Sequence, residues 1–119
     1  MAPQTEERLA GVIAALVEAN RRRAVQYEFK SRLRSTSTTA ALELVAEQVT
    51  APDTDIGGVT LYKALLAVPR IGPKAANRVL RATGLEQGDR LREVAERQVL
   101  AGIAAGRIRE LAESWRRAA

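Results

Sequence analysis

The stretch VPRIGPKAANRVL, residues 68–80, decides the fold, because it places a tight turn between two short helices. The first helix must end before Pro69, since the residue that precedes a proline is pushed out of the α region. Pro73 suits the first turn of the second helix, where its missing N–H has no intrahelical partner to lose. Thr60 is expected to cap the first helix and Gly84 to end the second. The pattern therefore predicts a helix-hairpin-helix.

The turn itself is a candidate anion site. Near Gly72 the backbone can approach a phosphate without a Cβ in the way, and the free N–H groups and dipole of the second helix point at it. The usual pattern has a second glycine two residues earlier, where this chain has Arg70. An ordinary corner between two helices is the alternative interpretation. The candidate contacts from this motif are Arg70, Ile71, Gly72, Pro73, Lys74 and Arg78.

The charge of the chain indicates a polyanionic partner. Its 19 Lys and Arg residues outnumber 14 Asp and Glu residues, and 16 of the 19 are Arg, whose planar guanidinium binds phosphate through two parallel hydrogen bonds. The excess lies in residues 20–34 and 58–119, and the remainder is net acidic. Such localisation is typical of a nucleic-acid binder. Basic faces that only keep the protein soluble are the alternative.

Residue types argue against an enzyme. The chain has no Cys and no His, which excludes the usual zinc sites, thiol nucleophiles and histidine acid–base schemes. Its carboxylates fall at spacings expected on solvated helical faces, next to Arg partners. No catalytic residue, metal or other cofactor is therefore predicted. No apolar run is long enough for a membrane span and no secretory signal is visible, so we expect a soluble cytoplasmic protein with no membrane partner.

The N-terminal region reads as a long basic arm. A helical stripe runs through Leu9, Val12, Ile13, Leu16 and Val17. With Thr5 as N-cap and no interruption before Ser35, a helix of about 30 residues, or about 45 Å, is predicted. Arg21, Arg22 and Arg23 spread around this helix, so at least one must face solvent or a ligand.

Two polar segments divide the chain. STSTT, residues 35–39, is expected to end the long helix and cap the next, because hydroxyl side chains favour caps and turns. TAPDTDIGG, residues 50–58, reads as a loop. We therefore expect an N-terminal region at residues 1–57, with the long helix, a second helix and the loop, and a compact DNA-binding domain at 58–119.

A second arginine segment follows the hairpin. In LEQGDRLREVAERQ, residues 85–98, Asp89 is expected to cap a helix, and Arg90 with Arg92 forms one patch only if the backbone there is extended. Residues 94–117 predict one bent helix or two short ones. The apolar residues expected to close the core from this segment are Val99, Leu100, Ile103, Ile108, Leu111 and Trp115.

LYKALLAVPRIGPKAANRVL, followed by DRLREVAERQ and preceded by an Arg-rich helix ending in KSRLRS, resembles the actinobacterial integration host factor family. The likeness covers residues 20 to about 107. It implies an all-α, monomeric, nucleoid-associated protein with a helix-two-turns-helix domain, which bends or compacts double-stranded DNA without strict sequence preference and can assist a phage integrase. The implied DNA contacts are the turn at Ile71 to Lys74 and the segment with Arg90 and Arg92. Asp89 stands where the family usually has another Arg.

Three other functions are compatible with parts of the pattern. Structured RNA is the main one, because backbone amides at a turn do not distinguish the two sugars. A helical adaptor that docks its long helix on an acidic protein is the second. A base-excision enzyme is the third, although such enzymes need a larger fold with a pocket and a catalytic Lys or Asp.

Overall fold

The computed structural model describes residues 2–118, and the side chains of residues 5–118. The chain is all-α, as predicted, with a long first helix followed by shorter ones. A 3₁₀ turn at Ile56–Gly58 lies between the second and third helices. The helices are α1 (Ala2–Arg34), α2 (Thr38–Thr50), α3 (Leu61–Ala67), α4 (Pro73–Thr83), α5 (Leu91–Glu96) and α6 (Gln98–Ala118).

Helix α1 is the predicted arm, and it begins earlier than expected. Its 33 residues span about 50 Å, and Thr5 lies inside the helix instead of at its start. The predicted break at residues 35–39 is confirmed, since the Ser37 side chain accepts a hydrogen bond from the Ala40 N–H and caps α2. The molecule measures 66 × 29 × 22 Å, so the free part of α1 protrudes from a compact body.

The core of that body forms chiefly where α2 packs on α6, the most extensive helix pair in the described chain. Alanines dominate the contact and let the two helices approach closely. The buried face of α2 consists of Ala41, Leu42, Val45, Ala46 and Val49. The buried face of α6 consists of Ala101, Ala104, Ala105, Ile108 and Ala112. One hydrophobic cluster thus draws on residues from both sides of position 57.

The hairpin of α3 and α4 forms as its sequence predicts. The Thr60 side chain accepts a hydrogen bond from the Lys63 N–H at 3.2 Å and caps α3. Pro73 occupies the start of α4, and Gly84 ends that helix in the left-handed conformation at φ 70°. A five-residue turn, residues 68–72, joins the two helices. The local chemistry of Pro, Gly and Thr therefore defines where α3 begins and where α4 begins and ends.

The C-terminal region differs from expectation in two respects. Asp89 does not cap α5; its carboxylate accepts a hydrogen bond from the Glu86 N–H at 2.7 Å and closes the preceding turn. Most of residues 94–117 forms the single helix α6, which begins at Gln98. Val99 and Ile103 face solvent, at 80% and 48% exposure, so the prediction that they close the core is wrong. The alanine face of α6 packs inward instead, because only small side chains permit its close approach to α2.

Candidate nucleic-acid interface

The turn surface consists of Gly72, Pro73 and Lys74, all three of which are exposed. Gly72 caps α4 with extended backbone (φ −97°, ψ −178°), and a Cβ placed on it would meet no heavy atom within 4 Å. The first helical hydrogen bond runs from the Ala76 N–H to the Gly72 carbonyl at 3.1 Å. The N–H groups of Lys74 and Ala75 precede that bond, so they remain available to an anion in front of the helix.

Ile71 supports this surface from below. Its side chain is buried in the core, and its N–H donates to the Val68 carbonyl at 3.2 Å. The side chain of Ile71 is therefore an anchor for the turn and does not face a ligand in this conformation. The buried side chain of Ile71 therefore holds the neighbouring Gly72 at the surface of the body.

Arg70 has the conformation that the missing glycine would favour. Its φ of 66° lies in the left-handed region, which costs a non-glycine residue roughly 1 kcal/mol or more. The guanidinium carbon of Arg70 lies 5.9 Å from the ring centroid of Trp115 on α6, within the range of a cation–π contact. On the other side, the Thr38 hydroxyl donates to the Pro69 carbonyl at 3.0 Å. Helices α2 and α6 thus hold the turn in place.

The arginine cleft is the second surface, and four arginines from two distant segments line it: Arg21, Arg22, Arg90 and Arg92. Its volume is about 470 Å³. A short antiparallel pairing positions the later two, because the Leu61 N–H donates to the Asp89 carbonyl at 3.1 Å and the Leu91 N–H donates to the Val59 carbonyl at 2.9 Å. Arg90 is extended at the start of α5 (φ −82°, ψ 151°). Arg92 lies within α5, so the segment is not extended throughout as the single-patch prediction assumed, yet Arg90 and Arg92 line the same cleft.

Two carboxylates offset part of the charge in the cleft. Arg21 donates hydrogen bonds to Glu18 at 2.7 Å and to Asp55 at 2.8 Å. These bonds raise the pKa of Arg21 above its usual value, and the bond from Arg21 lowers the pKa of Glu18. Arg21 therefore braces α1 against the loop at Asp55 more than it offers charge to a ligand. Gln26 strengthens the same brace by donating to the Asp55 carbonyl at 2.9 Å.

Besides Arg70 and Ile71, two more sequence-predicted residues, Arg23 and Arg78, lie outside both surfaces. Arg23 does not line the cleft, and its guanidinium donates to the Asn20 side chain at 3.0 Å. Arg78 is exposed one turn beyond Lys74 on α4, where it lines a hollow together with Arg107 and Glu110 of α6. Both side chains are positively charged and exposed, but neither belongs to the turn surface or the arginine cleft.

A third basic group was not predicted as a site. Lys30 and Arg34 on α1 line a hollow with Lys63 on α3. The spacing of Lys30 and Arg34 places them on one face of a helix and could have indicated two of the three members of this group. Lys63 joins them only through the packing of α3 on α1, which is a tertiary contact.

The turn surface and the arginine cleft lie at opposite ends of α3. The cleft adjoins the pairing at the start of α3, and the turn follows its last residue, so α3, which has seven residues and is about 10 Å long, lies between them. Lys63 lies on the helix between them. A rigid element therefore fixes the spacing of the two surfaces, and their positive charge can act on one extended polyanion.

No family model, curated protein or solved structure matches this chain. The resemblance to the integration host factor family therefore stays a prediction from the residues that carry it. Within residues 2–118, no helix is both long enough and apolar enough to cross a membrane.

Proposed function

We propose that this protein binds double-stranded DNA through phosphate contacts at the turn surface and the arginine cleft, without strict sequence preference. The observation that carries the proposal is the exposed corner at Gly72 with its available amides, held at a fixed distance from a cleft lined by arginines. Contacts to phosphates position a protein on a duplex but carry no direct sequence information. Binding is therefore expected to depend on the shape and deformability of the DNA.

Two contacts on one rigid body constrain the path of a bound duplex. If both surfaces hold the same duplex, the DNA must follow the body between them, which favours a bent path; if each holds its own, two duplexes are bridged. Either outcome fits a nucleoid-associated protein of the integration host factor type, located with the chromosome in the cytoplasm. The same resemblance supports a role beside a phage integrase, because a bent duplex brings recombination sites together.

The test is a gel-shift titration at low salt with linear and circular duplexes of the same sequence. A protein that favours bent DNA binds the small circle more tightly, whereas a bridging protein produces slow-migrating complexes with two duplexes. If about 6 to 10 phosphates are contacted, affinity should fall by roughly a thousandfold to a hundred-thousandfold between 50 and 200 mM salt. An affinity for duplex DNA that does not depend on salt would contradict phosphate clamping.

Structured RNA is tested in the same titration, because the amides at Gly72 do not distinguish deoxyribose from ribose. Equal duplex lengths of DNA and RNA at the same salt concentration give a direct comparison. Tighter binding to RNA would replace the proposed partner while keeping the two surfaces. Absence of binding to both polymers, together with a pull-down of an acidic protein that survives nuclease treatment, would favour the adaptor function instead.

A further inference from the structure

The protruding part of α1 is apolar on every side. Nine consecutive residues, LAGVIAALV at positions 9–17, contain no polar side chain, and all nine are exposed. Their five large side chains are each 55 to 63% exposed: Leu9, Val12, Ile13, Leu16 and Val17. A helix that is hydrophobic all round is normally buried. This segment has no such cover from the rest of the described chain.

We propose that the free segment of α1 pairs with the same segment of a second copy in an antiparallel helix pair. The five large side chains offer on the order of 500 Å² per copy, so a pair buries on the order of 1,000 Å², the lower limit for a specific interface. An interface at this lower limit is expected to be weak, and we expect a dimer with a dissociation constant in the micromolar range. The proposal replaces the expected monomer, and its test does not require DNA.

The charges that flank the segment select the antiparallel orientation. Glu6 and Glu7 precede it, and Arg21 to Arg23 follow it. In an antiparallel pair centred on Ile13, the acidic start of each arm lies within about one turn of the other arm's arginines. In a parallel pair the carboxylates would face carboxylates and the arginines would face arginines. Within residues 5–118, neither Glu6 nor Glu7 forms an ion pair inside its own chain, so both can form one across the interface.

A lipid surface fits the segment less well than a second copy does. Helices that lie on membranes carry Lys or Arg along a polar face beside their apolar face. Residues 9–17 have no polar face, and the charges nearest their start are Glu6, Glu7 and Arg8. Isolated helices shorter than about 12 to 15 residues are marginal in water, so pairing also stabilises the helical conformation of a part of α1 without contacts to the body.

Analytical ultracentrifugation of the full chain tests the pairing. We expect wild type to dimerise between about 1 and 100 μM, and Ile13→Gln with Leu16→Gln to weaken dimerisation at least tenfold. Val99→Gln with Ile103→Gln is the matched control, since both side chains are exposed on α6, and it should dimerise like wild type. Fluorescence of the single Trp115 during urea unfolding checks that the body stays folded in each variant.

The orientation is tested with cysteines, because the chain has none of its own. In an antiparallel pair centred on Ile13, Leu9 of one copy faces Val17 of the other. With oxidised glutathione, Leu9→Cys mixed with Val17→Cys should give a disulfide-linked heterodimer, whereas each variant alone should stay largely unlinked. Efficient linking of Leu9→Cys to itself would indicate a parallel pair and overturn the proposed orientation.

Neutralising the acidic start of the arm gives an independent check. Glu6→Gln with Glu7→Gln should weaken an antiparallel pair severalfold, since it removes attraction to the arginines, and would tighten a parallel pair by removing repulsion. A chain that stays monomeric at about 200 μM overturns the proposal, because the expected dissociation constant lies below that concentration. Trimers, tetramers, or a monomer that sediments with phosphatidylcholine vesicles would also overturn it.

Discussion

The turn surface and the arginine cleft both carry positive charge, but they differ in how much of it is available. In the cleft, Arg21 is paired with Glu18 and Asp55, and Arg90 lies 3.9 Å from Glu93. At the turn, Lys74 forms no ion pair within residues 5–118, and backbone amides add to its effect. A count of charged residues along the sequence therefore overstates the positive charge that the cleft offers to a ligand. The same count leaves out the backbone amides of the turn.

The largest loss of DNA affinity is expected from a double charge reversal in the cleft, because it changes two side chains at once. Arg90→Glu with Arg92→Glu should weaken binding to duplex DNA about a hundredfold at low salt, equally across sequences, because it reverses two charges beside existing carboxylates. Gel-shift titration measures the loss. Arg116→Glu with Arg117→Glu makes the same change in charge at the end of α6 and should cost less than about threefold. Equal losses in the two variants would mean that only net charge matters.

Lys74→Glu should weaken DNA binding about tenfold, since it places a negative charge in front of the amides that begin α4. An anionic side chain in the first turn of a helix does not destabilise that helix, so the loss reports on binding. Arg81→Glu makes the same change in charge at the other end of α4 and is the matched control. Unchanged affinity for Lys74→Glu, with constant helicity by circular dichroism, would remove the turn from the interface.

Gly72→Ala tests the amides themselves. The position has extended backbone and open space around it, so alanine fits, and the free energy of unfolding should stay equal or rise by up to about 1 kcal/mol. The added methyl group obstructs the approach of a phosphate, and we expect roughly threefold to fivefold weaker DNA binding. A variant of unchanged affinity would show that Lys74 acts without the backbone.

Asp55→Asn should strengthen DNA binding, in contrast to the substitutions above. Removing the carboxylate releases Arg21 and makes the cleft more positive, so DNA affinity should rise about twofold to threefold, while the melting temperature falls because α1 loses its brace. Asp53→Asn, an exposed position two residues earlier, is the control and should leave both quantities nearly unchanged. Weaker binding by Asp55→Asn would mean that the brace, not the charge, prepares the cleft.

The smallest effect concerns the strain at Arg70. Arg70→Ala and Arg70→Gly both lose the contact with Trp115, but only glycine relieves the left-handed backbone. The glycine variant should therefore be more stable than the alanine variant by about 1 kcal/mol. Urea unfolding of the two proteins measures the difference. Equal stabilities would place the strain elsewhere in the turn.

The sequence predicted the elements whose chemistry is local. Pro73, Gly84 and the Thr60 cap define the hairpin through short-range rules, and each lies where it was expected. The pairing of Arg21 with Asp55 joins residues 34 positions apart and could not be inferred from spacing along one helix. Gathering of the cleft likewise depends on the contact between the starts of α3 and α5.

The inward face of α6 escaped prediction for a different physical reason. Hydrophobic side chains of large size were expected inside, yet Val99 and Ile103 lie outside while Ala101 and Ala104 are buried. Where α6 packs closely against α2, the volume of a side chain decides its burial more than its hydrophobicity does. Burial therefore follows the separation of the helices, and that separation is a property of the assembled body.

The pairing of α2 with α6 also orders the events of synthesis. These helices are separated by more than 45 residues of chain, from Thr50 to Gln98, and they form the largest contact in the body. While the ribosome is still translating the middle of the message, α6 has not been synthesised, so the apolar face of α2 stays exposed to solvent. The nascent polypeptide can complete its body only after α6 has left the exit tunnel. Early termination would therefore yield an aggregation-prone fragment with exposed apolar surface, which chaperones bind and proteases degrade.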